Sequence, residues 1–124
     1  RGLSCEGSAP VIEAAMIWNE PNNKSHWNPD LDPDWAIYAD TVIRAGRSIA
    51  AINPQVTRVL GGMSPIDPSW VEKMRGHGAL DAVDVVAVHG FPLDWNLWPI
   101  HAWPDKIAEI EAVVPDKPVW ATEV

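Results

Sequence analysis

The chain turns on Ala14-Ala15-Met16-Ile17-Trp18-Asn19-Glu20-Pro21-Asn22, a run of small and apolar residues that stops at a carboxylate and passes into Pro and Asn. An apolar run closed by turn-forming residues predicts a buried parallel strand over Val11 to Asn19, whose end carries Asn19 and Glu20 into a cleft. Its counterpart lies at the far end of the sequence. There Pro118-Val119-Trp120-Ala121-Thr122-Glu123 is a second short apolar strand that finishes on a second carboxylate. Two strands, each ending in one Glu, predict one site built by both.

Between them the chain alternates. Asp32-Pro33 predicts a helix opening, with an Asp to cap free amides and a Pro where no N–H is needed. Trp35, Tyr38, Ala39, Val42, Ile43, Gly46, Ile49 and Ala50 follow at helical spacing, and Asn53-Pro54 closes the helix. Val56 to Met63 is the next strand, in which Gly61-Gly62 allows a close approach of backbone to a neighbour or ligand. Asp67-Pro68 opens a short helix to about Met74 or Arg75, broken by Gly76-His77-Gly78. Val83 to Val88 is apolar on both faces, as helix-covered parallel strands are, and runs into His89-Gly90-Phe91-Pro92. A loop rich in Trp and Pro covers Leu93 to Pro104, a helix Asp105 to Val114, and a turn leads into the last strand. Arg1 to Pro10 and the polar stretch Asn22 to Asp34, which holds His26 and Trp27, read as loops.

The order β-α-β-α-β-α-β predicts parallel strands with helical crossovers, hence an α/β fold: a doubly wound sheet or part of a (β/α)8 barrel. No strand leads into a Gly-rich phosphate loop. Polar groups stand instead at strand ends, in Glu20, His89 and Glu123, where barrel enzymes carry their chemistry. The prediction is therefore a partial (β/α)8 barrel, four parallel strands with three intervening helices.

Composition bounds the partners. A net charge of −8 argues against nucleic acid and anionic membranes, whose binding draws on clustered Lys and Arg. At 47% hydrophobic and 21% charged the chain reads as one soluble unit, or a piece of one, with no membrane span. Cys5 is alone and leaves the compartment open. The 8 Trp against 1 Tyr and 1 Phe suit both core packing and sugar binding, since an indole face matches the C–H face of a pyranose. Trp18, Trp95 and Trp98, beside strand ends, are read as substrate contacts, and Trp35 and Trp70, inside elements, as core. His26, His77 and His101 are read as surface residues. No His spacing matches a metal site, so neither metal nor other cofactor is predicted.

On these residues the chain resembles the retaining glycoside hydrolases of clan A, the β-xylosidase and β-glucosidase-like families in particular. Trp18-Asn19-Glu20-Pro21-Asn22 resembles their fourth-strand motif, an Asn followed by the acid/base Glu. Thr122-Glu123 falls where the seventh strand carries the nucleophile, and His89 where the sixth often has a polar residue. The resemblance implies that residues 1–124 are a fragment of one catalytic barrel, its fourth to seventh strands. It implies hydrolysis of O-glycosidic bonds with Glu20 as acid/base and Glu123 as nucleophile, Asn19 on the substrate, and His89 on either the substrate or the nucleophile. There is one departure. Where many members have a Tyr bonded to the nucleophile, this chain has Phe91.

The chemistry needs the two carboxyl groups about 5 to 5.5 Å apart, with pKa values split by environment. Apolar neighbours such as Trp18 are expected to raise that of Glu20. Three strand steps of about 4.8 Å separate the two Glu by roughly 14 Å on a flat sheet, so the sheet must curl. Taken singly, each Glu reads as a loop cap or an exposed strand end, and His89 as a packing residue. Only the joint placement points to catalysis. A barrel that binds sugar without catalysis, and a lyase or isomerase using Glu as a base, are the alternatives. A half-lined barrel with two open strand edges is expected to be inactive and to need its missing segments or self-association.

Overall fold

The alternating runs resolve into four strands and three helices in the computed structural model, which describes residues 11–91 and 97–124. The strands are β1 (Ala14–Ile17), β2 (Thr57–Met63), β3 (Val85–His89) and β4 (Val119–Glu123). The helices α1 (Ala36–Ile52), α2 (Pro68–Gly76) and α3 (Trp103–Val113) lie one in each connection. Two 3₁₀ turns, Ala79–Ala82 and Ile100–Ala102, add to what periodicity predicted. The strands form one sheet in the order β1-β2-β3-β4, every pair parallel. The predicted α/β arrangement of four parallel strands and three helices is thus the observed one. Among the described residues no helix is long and apolar enough to cross a membrane.

Strand alternation gives the sheet two unlike faces. Ile17, Leu60, Val86, Val88 and Val119 face the helices and join the main core with Tyr38, Val42, Trp70, Met74 and Ile110. Each such side chain, fully buried, contributes about 1.5–3 kcal/mol. Trp35 and Trp70 are in this core, as their position inside elements predicted. They pack edge to face, ring centres 5.8 Å apart, with Tyr38 5.7 Å from Trp70. On the opposite face Val59, Val85 and Ala87 make a smaller buried cluster. Met16, paired with Val59, and Trp120, paired with Ala87, continue that face but stay 39% and 40% exposed. That surface is apolar and only partly covered.

The sheet curls. Residues of β2 and β4 come within 8 Å Cα to Cα, closer than two strand steps of about 4.8 Å allow on a plane. Register shifts between Leu60 and Met63 and between Val88 and His89 sit where the strands approach their C-terminal ends, as bulges that bend strands do.

Element ends differ from prediction for local reasons. β1 is shorter than Val11 to Asn19, because Trp18 takes a left-handed backbone, φ 71°, and ends the ladder. Helix α1 starts at Ala36, not at Asp32-Pro33, because Trp35 is also left-handed, φ 66°. Asp32 still supplies the cap from a distance, accepting the N–H of Ile37 at 3.0 Å and of Tyr38 at 2.9 Å. Helix α2 opens as predicted, Asp67 accepting from Ser69 and Trp70 with Pro68 in the first turn. Helix α3 begins at Trp103, with Pro104 opening the helix in place of closing the loop.

Candidate active site

The strand ends converge on the less covered face. Beyond β1, both Trp18 and Glu20 have positive φ, 71° and 41°. A left-handed non-Gly residue costs on the order of 1–3 kcal/mol, so the turn is held by its surroundings. Asn22 is one such hold: its Oδ1 accepts Ser64 N–H at 2.8 Å and its Nδ2 donates to the Pro65 carbonyl at 2.7 Å. The loop after β1 is thereby stapled to the end of β2, and Glu20 is left 9% exposed.

Two hydrogen bonds hold its carboxylate, and a third nitrogen stands close to it. His89 Nδ1 lies 3.0 Å from Oε1; Asn23 Nδ2 and His26 Nδ1 lie 3.0 Å and 3.2 Å from Oε2. His89, the last residue of β3, is fully buried, and its Nδ1 is also 3.7 Å from Glu123 Oε2. One ligating atom each from Glu20, His89 and Glu123 all fall within 4.8 Å of one another. The two acids therefore meet across three strand steps and 123 − 20 = 103 positions.

Gly61 and Gly62 make this possible. A Cβ on Gly61 would stand 2.7 Å from the Ile17 carbonyl oxygen and 2.8 Å from that of Trp18, so β1 could not lie where it does. A Cβ on Gly62 would overlap the His89 ring at Nε2 and Cδ2. The close approach predicted for the pair is to backbone at one glycine and to an imidazole at the other.

His89 Nε2 is buried with no hydrogen-bond partner among the described residues. A buried N–H without an acceptor costs about 1–3 kcal/mol, whereas a bare lone pair costs less. Nδ1 is therefore assigned as the nitrogen whose hydrogen goes to Glu20. The three donor atoms are close enough to share a cation. A cation on Nδ1 would break the bond to Glu20 and force a hydrogen onto the orphaned Nε2, so the donor set fits a metal poorly.

Burial is the largest single influence on Glu20 and pushes its pKa up. Hydrogen bonds from His89 and Asn23 and the charges of His89 and His26 outweigh it, leaving the group below its ordinary 4.5. This corrects the expected raised value. The apolar neighbour invoked for it, Trp18, donates instead to the His26 carbonyl at 3.2 Å and packs its edge on Trp27.

A cavity of about 910 Å³ opens over the two acids, walled among others by Asn19, Lys24, His26, Ser64, Phe91 and Glu123. Glu123 faces it with a side chain 48% exposed. Of the residues predicted for the site, Glu20, Glu123, His89 and Asn19 are brought together. Trp18 lies beside the site but is not part of the cavity wall, and Trp98 packs on Trp103, ring centres 5.4 Å apart. Trp95 falls outside the described residues. His26 is exposed, as expected, but its Nδ1 also stands against Glu20, and Asn23, which carries no motif, donates to the same oxygen. The only sequence signal was their place in the polar loop directly after the acid. His77 and His101 are exposed, His77 bonded to the Asp34 carbonyl at 2.6 Å. Comparison with protein-family models, with curated proteins and with solved structures gives no match.

Proposed function

We propose that this chain is the segment of a (β/α)8 barrel that carries both catalytic carboxylates of a retaining glycosidase. One observation carries the reading: Glu20 and Glu123 present carboxylate oxygens within 4.8 Å of each other from opposite edges of a four-stranded parallel sheet. Oxygens that close suit double displacement, with carboxyl groups about 5–5.5 Å apart, better than inversion, where they stand about 6.5–9.5 Å apart.

In this mechanism Glu123 attacks the anomeric carbon while Glu20, in its protonated form, gives its proton to the departing glycosidic oxygen. A water, deprotonated by the Glu20 carboxylate, then attacks the anomeric carbon, breaks its bond to Glu123 and regenerates both groups. Asn19 is placed to meet a sugar hydroxyl at the cavity wall. The barrel part of the proposal draws support from the curl and from the half-covered face of Met16 and Trp120, which four further strands would enclose. Activity then belongs to the completed barrel.

The depressed pKa of Glu20 favours a second reading, a barrel that binds sugar without cleaving it, because a carboxylate held by two hydrogen bonds and neighbouring positive charge is a reluctant acid. Activated 2-fluoro glycosides separate the two. With the full-length parent, the hydrolase reading expects a covalent adduct on Glu123, located by peptide mass spectrometry, and turnover that Glu123→Gln abolishes. Saturable binding with no adduct across a panel of sugars would establish the second reading instead.

A further inference from the structure

His26 is more firmly built in than its 40% exposure suggests. Its own N–H donates to the Asn23 carbonyl at 2.9 Å, and so does that of Trp27 at 3.2 Å. Its carbonyl accepts the Trp18 indole N–H at 3.2 Å. The next residue, Trp27, packs against the core and donates its Nε1–H to the buried Asp32 at 3.1 Å. Asn23 in turn is fixed by Ser25, whose N–H and hydroxyl reach its Oδ1 at 3.1 Å and 2.8 Å. The loop therefore brings a set donor, Asn23 Nδ2, and the His26 ring, its Nδ1 3.2 Å away, to one oxygen of one carboxylate.

We infer that His26 is a positioning residue for Glu20: it clamps the outer carboxylate oxygen and thereby governs when that carboxylate takes up a proton. The inference rests on Glu20 being the working acid, but the contact can be read on Glu20 itself. Other titratable groups surround the pair. His89 from β3 holds the inner oxygen, Glu123 from β4 stands behind His89, and Lys24 on the same loop lines the cavity. From β2 the cavity wall carries Ser64 and Pro65, which do not titrate. Among the described residues His26 is the one cationic-type side chain on Oε2, and it acts on the carboxylate through its charge.

Substitution tests that charge. His26→Gln keeps a polar side chain and loses the charge, and His26→Ala loses the side chain as well. The lowering influence of His26 is removed while burial, which raises Glu20, stays. The test is a carbon-13 NMR titration of the Glu20 carboxyl in the chain as it stands. The Glu20 midpoint is expected to move to higher pH in His26→Ala and in His26→Gln alike. A folded His26→Ala whose Glu20 titrates with the unsubstituted chain overturns the inference. If His26→Ala does not fold, His26→Gln decides it alone by the same criterion. Because this readout needs no turnover, a parent that fails to cleave glycosides leaves it intact. Where the parent does turn over, the basic limb of kcat/KM for poor leaving groups is expected to move the same way in His26→Ala. A merely structural role would lower kcat at every pH without moving that limb.

Discussion

Placing a methyl on Gly62 tests the architecture of the site without any substrate. Gly62 is a strand residue with no positive φ, so Ala there carries no backbone strain and, by chain entropy, would stabilise a strand by about 0.5–1 kcal/mol. What opposes it is the His89 ring, which the new Cβ would overlap. Overpacking costs about 1–3 kcal/mol. Pushing His89 aside also loses its bond to the Glu20 carboxylate, about 1.5–3 kcal/mol for a hydrogen bond to a charged group. Since the two losses overlap, the net is about 2–4 kcal/mol. With an unfolding entropy near 2.1 cal/mol/K per residue, 124 residues lose roughly 4 °C of Tm per kcal/mol, so Gly62→Ala is expected to melt about 8–16 °C lower. The decisive comparison is the double substitution. In a His89→Ala background the methyl meets no ring and is expected to cost nothing or to stabilise, giving a coupling of about 2 kcal/mol or more in a thermal or urea unfolding cycle. Equal costs in the two backgrounds would refute the placement of His89 over Gly62, and with it the reason for a glycine there.

Gly61→Ala is expected to destabilise by a similar amount, about 2 kcal/mol or more, but without relief from His89→Ala, because the obstacle is the backbone of β1. Asp32→Ala removes the acceptor for two helix amides and the Trp27 indole, and is expected to lower stability by about 2–3 kcal/mol with lost helical circular dichroism. Glu20 and Asp84, the latter held down chiefly by its bond from Arg58, both sit below their ordinary values of 4.5 and 3.8. Their stabilisation is full above those values and is lost as pH falls through the lower folded ones. Urea midpoints are therefore expected to stay flat from neutral pH and drop below about pH 4.5, with a shallower drop in Glu20→Gln.

The alternation of strands and helices was legible because each run has a single dominant period, and Asp67-Pro68 gave the start of α2 to the residue. Ends were misplaced where a long-range contact overrode local chemistry. Asp32 does cap α1, but Trp35 turns left-handed first, and no propensity marks Trp as a residue that does so. The pairing of Glu20 with Glu123 was legible as two strand ends on one curled sheet. The state of Glu20 was not. The run before Glu20 is apolar, whereas its pKa is lowered, against burial, by groups 3, 6 and 69 positions away. Trp18 shows a related point: an indole beside a strand end has a polar N–H to satisfy, and Trp18 spends its own on the His26 carbonyl.

Several departures from easy packing fall at the C-terminal ends of the strands: left-handed Trp18 and Glu20, a glycine pair with no room for a methyl, a bulge before His89 and an imidazole nitrogen without a partner among the described residues. The helix-facing side has its own, in left-handed Trp35, the Trp70 Nε1 without a partner among the described residues, and Gly46, where a Cβ would meet the Ala82 carbonyl oxygen. Costly features are therefore spread over both faces. What the strand-end group has in common is its product: a buried carboxylate held by two hydrogen bonds within reach of a second, exposed one. That product is what the proposed chemistry would require of the fold.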